Sequence, residues 1–227
     1  MAAMTQHTPD REGEKRLAAA RSLELIENGM LFGLGTGSTI AHLIPMLGER
    51  VAGGLRIRAV PTSARSSEAA RQHGIEVIDD FDGSERIDLA IDGADEVDPN
   101  LQLTKGGGGA LLREKIVAAC ARRFVVVADS QKLVATLGAF PLPVEVIKLG
   151  WSNVARQLGE LGGAPQRRAA ADGSPYLTDE GNYILDCRFG TIEDPRALAA
   201  KIDGIVGVVE HGLFVDMADM VIVGDPA

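Results

Sequence analysis

Apolar positions recur along this chain in two alternating rhythms. A period near 3.6 residues suits one face of a helix, and short unbroken aliphatic runs suit strands buried on both sides. The helical rhythm runs over Lys15–Asn28, where Asn28-Gly29 reads as a C-terminal cap. It returns over Ile40–Arg50, over Ala64–His73 and from Leu111 to Cys120. Between these stretches lie the apolar runs Met30–Leu34, Arg56–Val60, Ile75–Ile78, Ile87–Ile91 and Phe124–Ala128. Strand and helix in regular alternation predict an α/β fold with an open parallel sheet, Rossmann-like in its layering.

The rhythm breaks at Leu137–Pro143, where Gly138, Pro141 and Pro143 interrupt it. Beyond the break the pattern predicts a strand at Val144–Leu149, a helix at Ser152–Leu161 and a strand near Arg167–Ala171. A strand at Tyr183–Cys187, a helix at Pro195–Ile202 and a strand at Val206–Glu210 follow. That order, β-α-β-β-α-β, predicts a second, smaller α+β domain of the split-βαβ, ferredoxin-like kind. Gly212-Leu213-Phe214 and the wholly apolar Met220–Val223 predict a return to the first sheet. The expected partition is therefore residues 1–137 plus 209–227 as a Rossmann-like catalytic domain, with 138–208 as the small domain.

Composition narrows the function classes. The 227 residues are 45% apolar and 24% charged, as in a soluble globular protein. A net charge of −9 argues against nucleic acid or an anionic membrane as partner, so an anionic substrate must be held by local cations. No apolar run approaches the roughly 18 residues of a membrane span. The polar stretch through Glu14 lacks a signal-peptide core and is expected to fray. Cys120 and Cys187 fit neither metal spacing nor a disulfide framework; both sit in apolar runs and read as buried, reduced thiols of a cytoplasmic protein. His7, His42, His73 and His211 share no ligand spacing, so they read as surface or helix-end residues and no metal site is expected. Trp151 reads as a packing residue at the domain boundary.

Three segments concentrate chemistry. The first is Lys105-Gly106-Gly107-Gly108-Gly109, which opens directly into the apolar helix carrying Glu114. A side-chain-free loop at a helix N-terminus exposes N–H groups that suit an anion or oxyanion. The second is Gly33-Leu34-Gly35-Thr36-Gly37-Ser38-Thr39, a strand-to-helix loop rich in hydroxyls. A dinucleotide fingerprint needs glycine where Ser38 stands and an acid about twenty residues on; a mononucleotide P-loop needs lysine after its last glycine. Neither is present, and Thr36, Ser38 and Thr39 suit a small phosphate monoester. The third is Asp92-Gly93-Ala94-Asp95-Glu96, at the carboxyl end of a strand, where ligands of parallel sheets bind. Its carboxylates lack the twelve-residue spacing of a calcium loop and favour acid–base roles.

Taken together in this order, the three segments resemble the signature set of ribose-5-phosphate isomerase, type A, and Phe140-Pro141-Leu142-Pro143-Val144-Glu145-Val146 resembles that family's lead-in to its second domain. The resemblance extends from Lys15 to the C-terminus. It implies an isomerase of D-ribose 5-phosphate and D-ribulose 5-phosphate in the non-oxidative pentose phosphate branch. It also implies no metal or organic cofactor, a small sugar-phosphate as partner, and a homodimer or homotetramer. By resemblance Glu114 is the catalytic base, and Asp92, Asp95 and Lys105 handle the sugar, with Gly93, Ala94, Gly106, Gly107 and Gly108 lining it. Thr36, Gly37, Ser38, Thr39, Lys132 and Lys15 fall on the phosphate side. Asp92 is the candidate for proton transfer in ring opening and Asp95 for orienting hydroxyls, a division the sequence leaves open. Two other classes remain possible at this stage: a non-catalytic sugar-phosphate sensor, which would need the phosphate loop but not Glu114, and an acyl or CoA transferase with a glutamate nucleophile, which would need room for a larger substrate.

Overall fold

A computed structural model of the chain describes residues 10–224. In chain order the elements are α1 (Arg11–Ser22), β1 (Leu31–Leu34), α2 (Ser38–Ala52), β2 (Arg58–Pro61), α3 (Ala64–Gln72), β3 (Glu76–Val77) and β4 (Leu89–Asp92). Then come β5 (Glu96–Val97), β6 (Leu103–Thr104), α4 (Leu111–Cys120), β7 (Phe124–Ala128), β8 (Leu142–Val146), α5 (Trp151–Glu160) and β9 (Ala164–Arg167). The last are β10 (Tyr183–Arg188), α6 (Pro195–Asp203), β11 (Val208–His211), β12 (Leu213–Phe214) and β13 (Met220–Val223).

Six strands form a parallel sheet in the order β13-β7-β4-β1-β2-β3. From β1 the chain winds outward to β2 and β3, and from β4 it winds the other way to β7 and β13. The switch point therefore lies between β1 and β4, where the loops leaving two adjacent strands diverge and open a crevice. β1, β4 and β7 are buried along their whole length, which explains their unbroken apolar runs. Ala18, Ala19, Leu43 and Leu47 of α1 and α2 close one face of this core over Phe32, Ile91 and Val127.

A separate antiparallel sheet has the order β11-β8-β10-β9, and Val154, Leu158 and Ile202 of α5 and α6 pack into its core. The element order β-α-β-β-α-β is as the sequence predicts. β9 spans Ala164–Arg167, three residues earlier than the expected start at Arg167, and β11 spans Val208–His211 where Val206–Glu210 was expected, so it crosses the expected domain limit at 208.

Between the two sheets lies a three-stranded piece, β12-β6-β5, which the sequence did not reveal. Met220–Val223 does return to the parallel sheet, pairing with β7. Leu213-Phe214 does not: it pairs antiparallel with β6. A two-residue strand carries no periodicity, so only the pairing partner could have told the two destinations apart. Buried Glu96 stitches this region to the chain leading into the small sheet, accepting from the N–H groups of Gly138 (2.9 Å) and Phe140 (2.8 Å) and from Thr104 Oγ1 (3.0 Å).

The expected fraying through Glu14 is corrected for residues 10–14; residues 1–9 lie outside the described residues. α1 begins at Arg11, with Asp10 capping the N–H of Gly13 at 3.1 Å, and Glu14 is buried, accepting from the N–H of Ser130 at 2.7 Å. One further expectation fails for packing reasons: His211, at the end of β11, is buried beside Lys115 of α4. Trp151 packs edge-on against Tyr183 of the small sheet. His7 lies outside the described residues; His42 pairs with Glu12 and His73 ends α3. Cys187 is buried and Cys120 half-buried, and both are free.

Candidate active site

Because β1 and β4 are neighbours, the loops that leave them meet. Asp92, the last residue of β4, turns Oδ1 to the N–H of Thr36 (2.9 Å) and to its neighbouring Gly93 N–H (2.7 Å). Gly35 allows the approach, since a Cβ there would overlap the Asp92 carboxylate. Thr36 Oγ1 then joins a buried hydroxyl cluster with Thr62 (2.7 Å), Ser63 (2.8 Å) and Ser66 (3.1 Å).

Lys105 enters from β6, its backbone N–H bonded to Gly212 O at 2.8 Å. Its side chain is 3% exposed, and its Nζ donates to Gly93 O at 2.6 Å. The same Nζ lies 3.0 Å from Asp92 Oδ2 and 3.4 Å from Glu114 Oε2, with the Phe214 ring centroid 5.4 Å away. Burial opposes its charge, but Asp92, Glu114 and Asp95 outweigh that and hold its pKa above the usual lysine range.

Glu114 stands in the first turn of α4, where the helix N-terminus favours an anion. It is 4% exposed, and no hydrogen bond satisfies its Oε2 among the described residues. Burial first, then the nearby Asp92 and Asp95 charges, push its pKa up to about 8, against the pull of Lys105. Burial also raises Asp92, in spite of Lys105 and two backbone donors. One ammonium thus serves two carboxylates in a dry pocket. Burial favours the protonated form of both carboxylates, and two backbone N–H donors oppose that at Asp92.

These groups floor a cleft bounded by three loops. It is lined by Thr36, Gly37, Ser38, Thr39, Gly93, Ala94, Asp95, Lys105, Gly106, Gly107, Gly108, Glu114 and Lys132, all expected from the sequence, and by Ala128 and Asp129, which were not. Asp95 holds the glycine loop, accepting from Gly107 N–H at 2.7 Å. At the far end Ser38 and Thr39 open the long helix α2, and Lys132 faces them from the turn after β7. Hydroxyls, helix N-terminus and ammonium together make an anion site.

Asp92 belongs to the buried cluster at the floor of the cleft, its Oδ2 3.0 Å from Lys105 Nζ, and does not itself line the cleft. Lys15 also does not line it: its Nζ is bonded to Glu12 at 2.6 Å, one turn back along α1. Two other residues were missed. Asp129 lies at the cleft wall with Arg11 3.7 Å away, and it stood in plain sight beside Lys132 at a strand end. Arg168 reaches from the small sheet to the carbonyls of Gly106 (3.0 Å) and Gly107 (3.2 Å), and nothing in its local sequence announces that.

Comparison with known proteins agrees with this geometry. The model of the family described as ribose 5-phosphate isomerase A (phosphoriboisomerase A) matches residues 58–227. A protein of Parvibaculum lavamentivorans named ribose-5-phosphate isomerase A is 49% identical over 219 residues, covering 94% of each chain. One of Thermomicrobium roseum with the same name is 54% identical over 215 residues, 94% of this chain and 90% of the relative. Among solved structures, a D-ribose-5-phosphate isomerase in complex with phospho-erythronic acid superposes with a TM-score of 0.90 at 41% identity, covering 94% of each chain.

Proposed function

The chain belongs to the ribose 5-phosphate isomerase A family, and from that premise we propose that it interconverts D-ribose 5-phosphate and D-ribulose 5-phosphate through an enediolate, with Glu114 moving the proton. The observation that carries this reading is the buried Glu114 carboxylate, its pKa pushed to about 8, 3.4 Å from the Lys105 ammonium and facing a glycine loop. A base with a pKa near neutrality is well matched to abstracting a carbon-bound proton.

The reaction runs as follows. The phosphate sits against Ser38, Thr39 and Lys132, which leaves the sugar pointing toward Asp95 and Glu114. Asp95, the aspartate that lines the cleft, assists opening of the furanose ring to the free aldehyde; Asp92 acts through Lys105, fixing its ammonium. This reverses the division of labour expected for the two aspartates. Glu114 then takes the C2 proton, and the C2–H electron pair forms the C1–C2 double bond while the aldehyde oxygen becomes O1⁻. Lys105 and the N–H groups of the glycine loop stabilise that charge. Glu114 returns its proton to C1, O2 loses its own proton as the C2 carbonyl forms, and O1 gains one. Every proton removed is restored, and Lys105 supplies the cation beside the developing oxyanion. Phospho-erythronic acid, bound in the relative, carries both a phosphate and a carboxylate; the carboxylate resembles the charge of the enediolate.

Incubation with ribose 5-phosphate, followed by detection of ketose, tests the reading directly, and absence of ketose overturns it. We further propose cytoplasmic residence within the non-oxidative pentose phosphate branch, consistent with two free cysteines. A homodimer or homotetramer is proposed as the working assembly; exposed Leu149 and Val206 are candidate contacts, and sedimentation equilibrium distinguishes the two. Lys15 remains a proposed phosphate contact on condition that it leaves Glu12. The two sheets are proposed to mark two domains, one of them 138–211, which takes in β11, and the other the chain on either side of it.

A further inference from the structure

The glycine loop is held from outside as well as from within. Arg168 follows β9 directly, its main chain fixed by Ile184 O (2.9 Å to its N–H) and by the Tyr176 N–H (3.0 Å to its carbonyl). Its guanidinium is gripped along one edge by Asp186 of β10, Nε lying 2.9 Å from Oδ2 and Nη2 also bonded to the carboxylate. The remaining Nη1 donates to the carbonyls of both Gly106 (3.0 Å) and Gly107 (3.2 Å). A bidentate arginine is a rigid donor, unlike a lysine at the same place.

The consequence follows from peptide geometry. In a trans peptide the N–H points opposite to the C=O, and no described peptide is cis. Gly106 C=O and Gly107 N–H share one peptide; its carbonyl end meets Arg168 and its N–H end meets Asp95 in the cleft at 2.7 Å. Gly107 C=O and Gly108 N–H share the next. With that carbonyl also on Arg168, the Gly108 N–H is turned to the same side as Asp95. Gly108 lines the cleft, is exposed, and its N–H has no protein acceptor among the described residues.

Resting on the reading of this loop as the oxyanion site, we propose that Arg168 is a positioning residue: by holding the two carbonyls outward it aims the Gly108 N–H at the developing enediolate oxygen. The small antiparallel sheet thereby takes part in catalysis without touching substrate. A plain structural contact between the small sheet and the glycine loop would stabilise the fold and leave the chemistry alone.

The experiment compares Arg168→Ala and Asp186→Asn with the intact enzyme. Loss of an oriented oxyanion donor costs about 100- to 1,000-fold; a misaligned one should cost less. Arg168→Ala is expected to lower kcat by about 10- to 100-fold. Its inhibition constant for phospho-erythronic acid should rise by a similar factor, and that for inorganic phosphate should stay within twofold. Millimolar methylguanidinium should restore part of kcat. Asp186→Asn, which keeps the arginine but releases it, should show the same pattern more weakly and carries the test if Arg168→Ala fails to fold. A kcat within twofold of the intact enzyme in the folded variant, or equal weakening of phosphate and phospho-erythronic acid, overturns the proposal. If the intact enzyme makes no ketose, the functional reading falls; if it does and Arg168→Ala matches it, only the role of Arg168 falls.

Discussion

Lys105 Nζ lies 3.4 Å from Glu114 Oε2, and both side chains are almost wholly shielded from water. Lys105 also serves Asp92, so Glu114 receives only part of its charge and keeps a high proton affinity. That is the state a base for a weak carbon acid needs. Glu114→Gln keeps the volume and hydrogen-bonding capacity but cannot accept a proton. General-base catalysis is worth about 100- to 10,000-fold, and loss of a sole base falls at or beyond the upper end. We expect kcat to collapse while KM moves little, because the phosphate is held at the other end of the cleft. Exchange of the substrate's C2 hydrogen with solvent deuterium should stop. Exchange at near the wild-type rate would make Asp95, the carboxylate lining the cleft beside the glycine loop, the base.

A Glu114 pKa near 8 sets the pH response in two ways. The reactive form is the carboxylate, so kcat/KM should fall about tenfold per pH unit well below 8 and level off above it. Stability moves oppositely. The folded pKa is raised, so between the unfolded value near 4.5 and about 8 the native state binds more protons than the unfolded state. Stability then decreases as pH rises through that window. Glu114→Gln removes the penalty. Its gain in Tm over the wild type should be small at pH 5 and larger at pH 8; an equal gain at both values would refute the shift.

How much of this was legible in the sequence depends on how locally each feature is encoded. The glycine loop, Glu114 and the Asp92–Glu96 run are short contiguous segments whose chemistry shows without a fold, and the cleft assembles them. The parallel sheet was legible because β1, β4 and β7 are buried on both faces and read as unbroken apolar runs. What failed depended on tertiary partners. Phe214 goes to β6, and Glu14 is drawn under the Ser130 turn. Arg168 matters only because the small sheet carries it to carbonyls about 60 residues earlier in the chain.

The phosphate end offers an independent test. Ser38 and Thr39 begin α2, and Lys132 lines the same cleft from the turn after β7. A hydrogen bond to a charged group contributes about 1.5–3 kcal/mol. Lys132→Ala should therefore lower kcat/KM by about 10- to 100-fold, mostly through KM, and should weaken inhibition by inorganic phosphate by a like factor. Unchanged kinetics in both Lys132→Ala and Ser38→Ala would remove the phosphate from this end of the cleft.

The glycines of the hydroxyl-rich loop separate two functions that the sequence had merged into one phosphate cradle. Gly37 has φ 125° and nothing within 4 Å of a Cβ built on it, so it is there for its backbone. Gly35 is there for space, since its missing Cβ is where the Asp92 carboxylate lies. The two alanine variants should consequently fail differently. Gly37→Ala places a side chain at an unfavourable φ, costing about 1–3 kcal/mol, and disturbs the loop that begins α2. It should raise KM with a smaller loss of kcat. Gly35→Ala instead forces Asp92 away from the Thr36 N–H and from Lys105, and it does so between paired strands that cannot spread. The expected result is loss of kcat by at least tenfold, with a lowered Tm and a shifted pH profile as Lys105 loses one of its two carboxylate partners. A Gly35→Ala enzyme with wild-type kcat and pH profile would show that Asp92 does not govern Lys105.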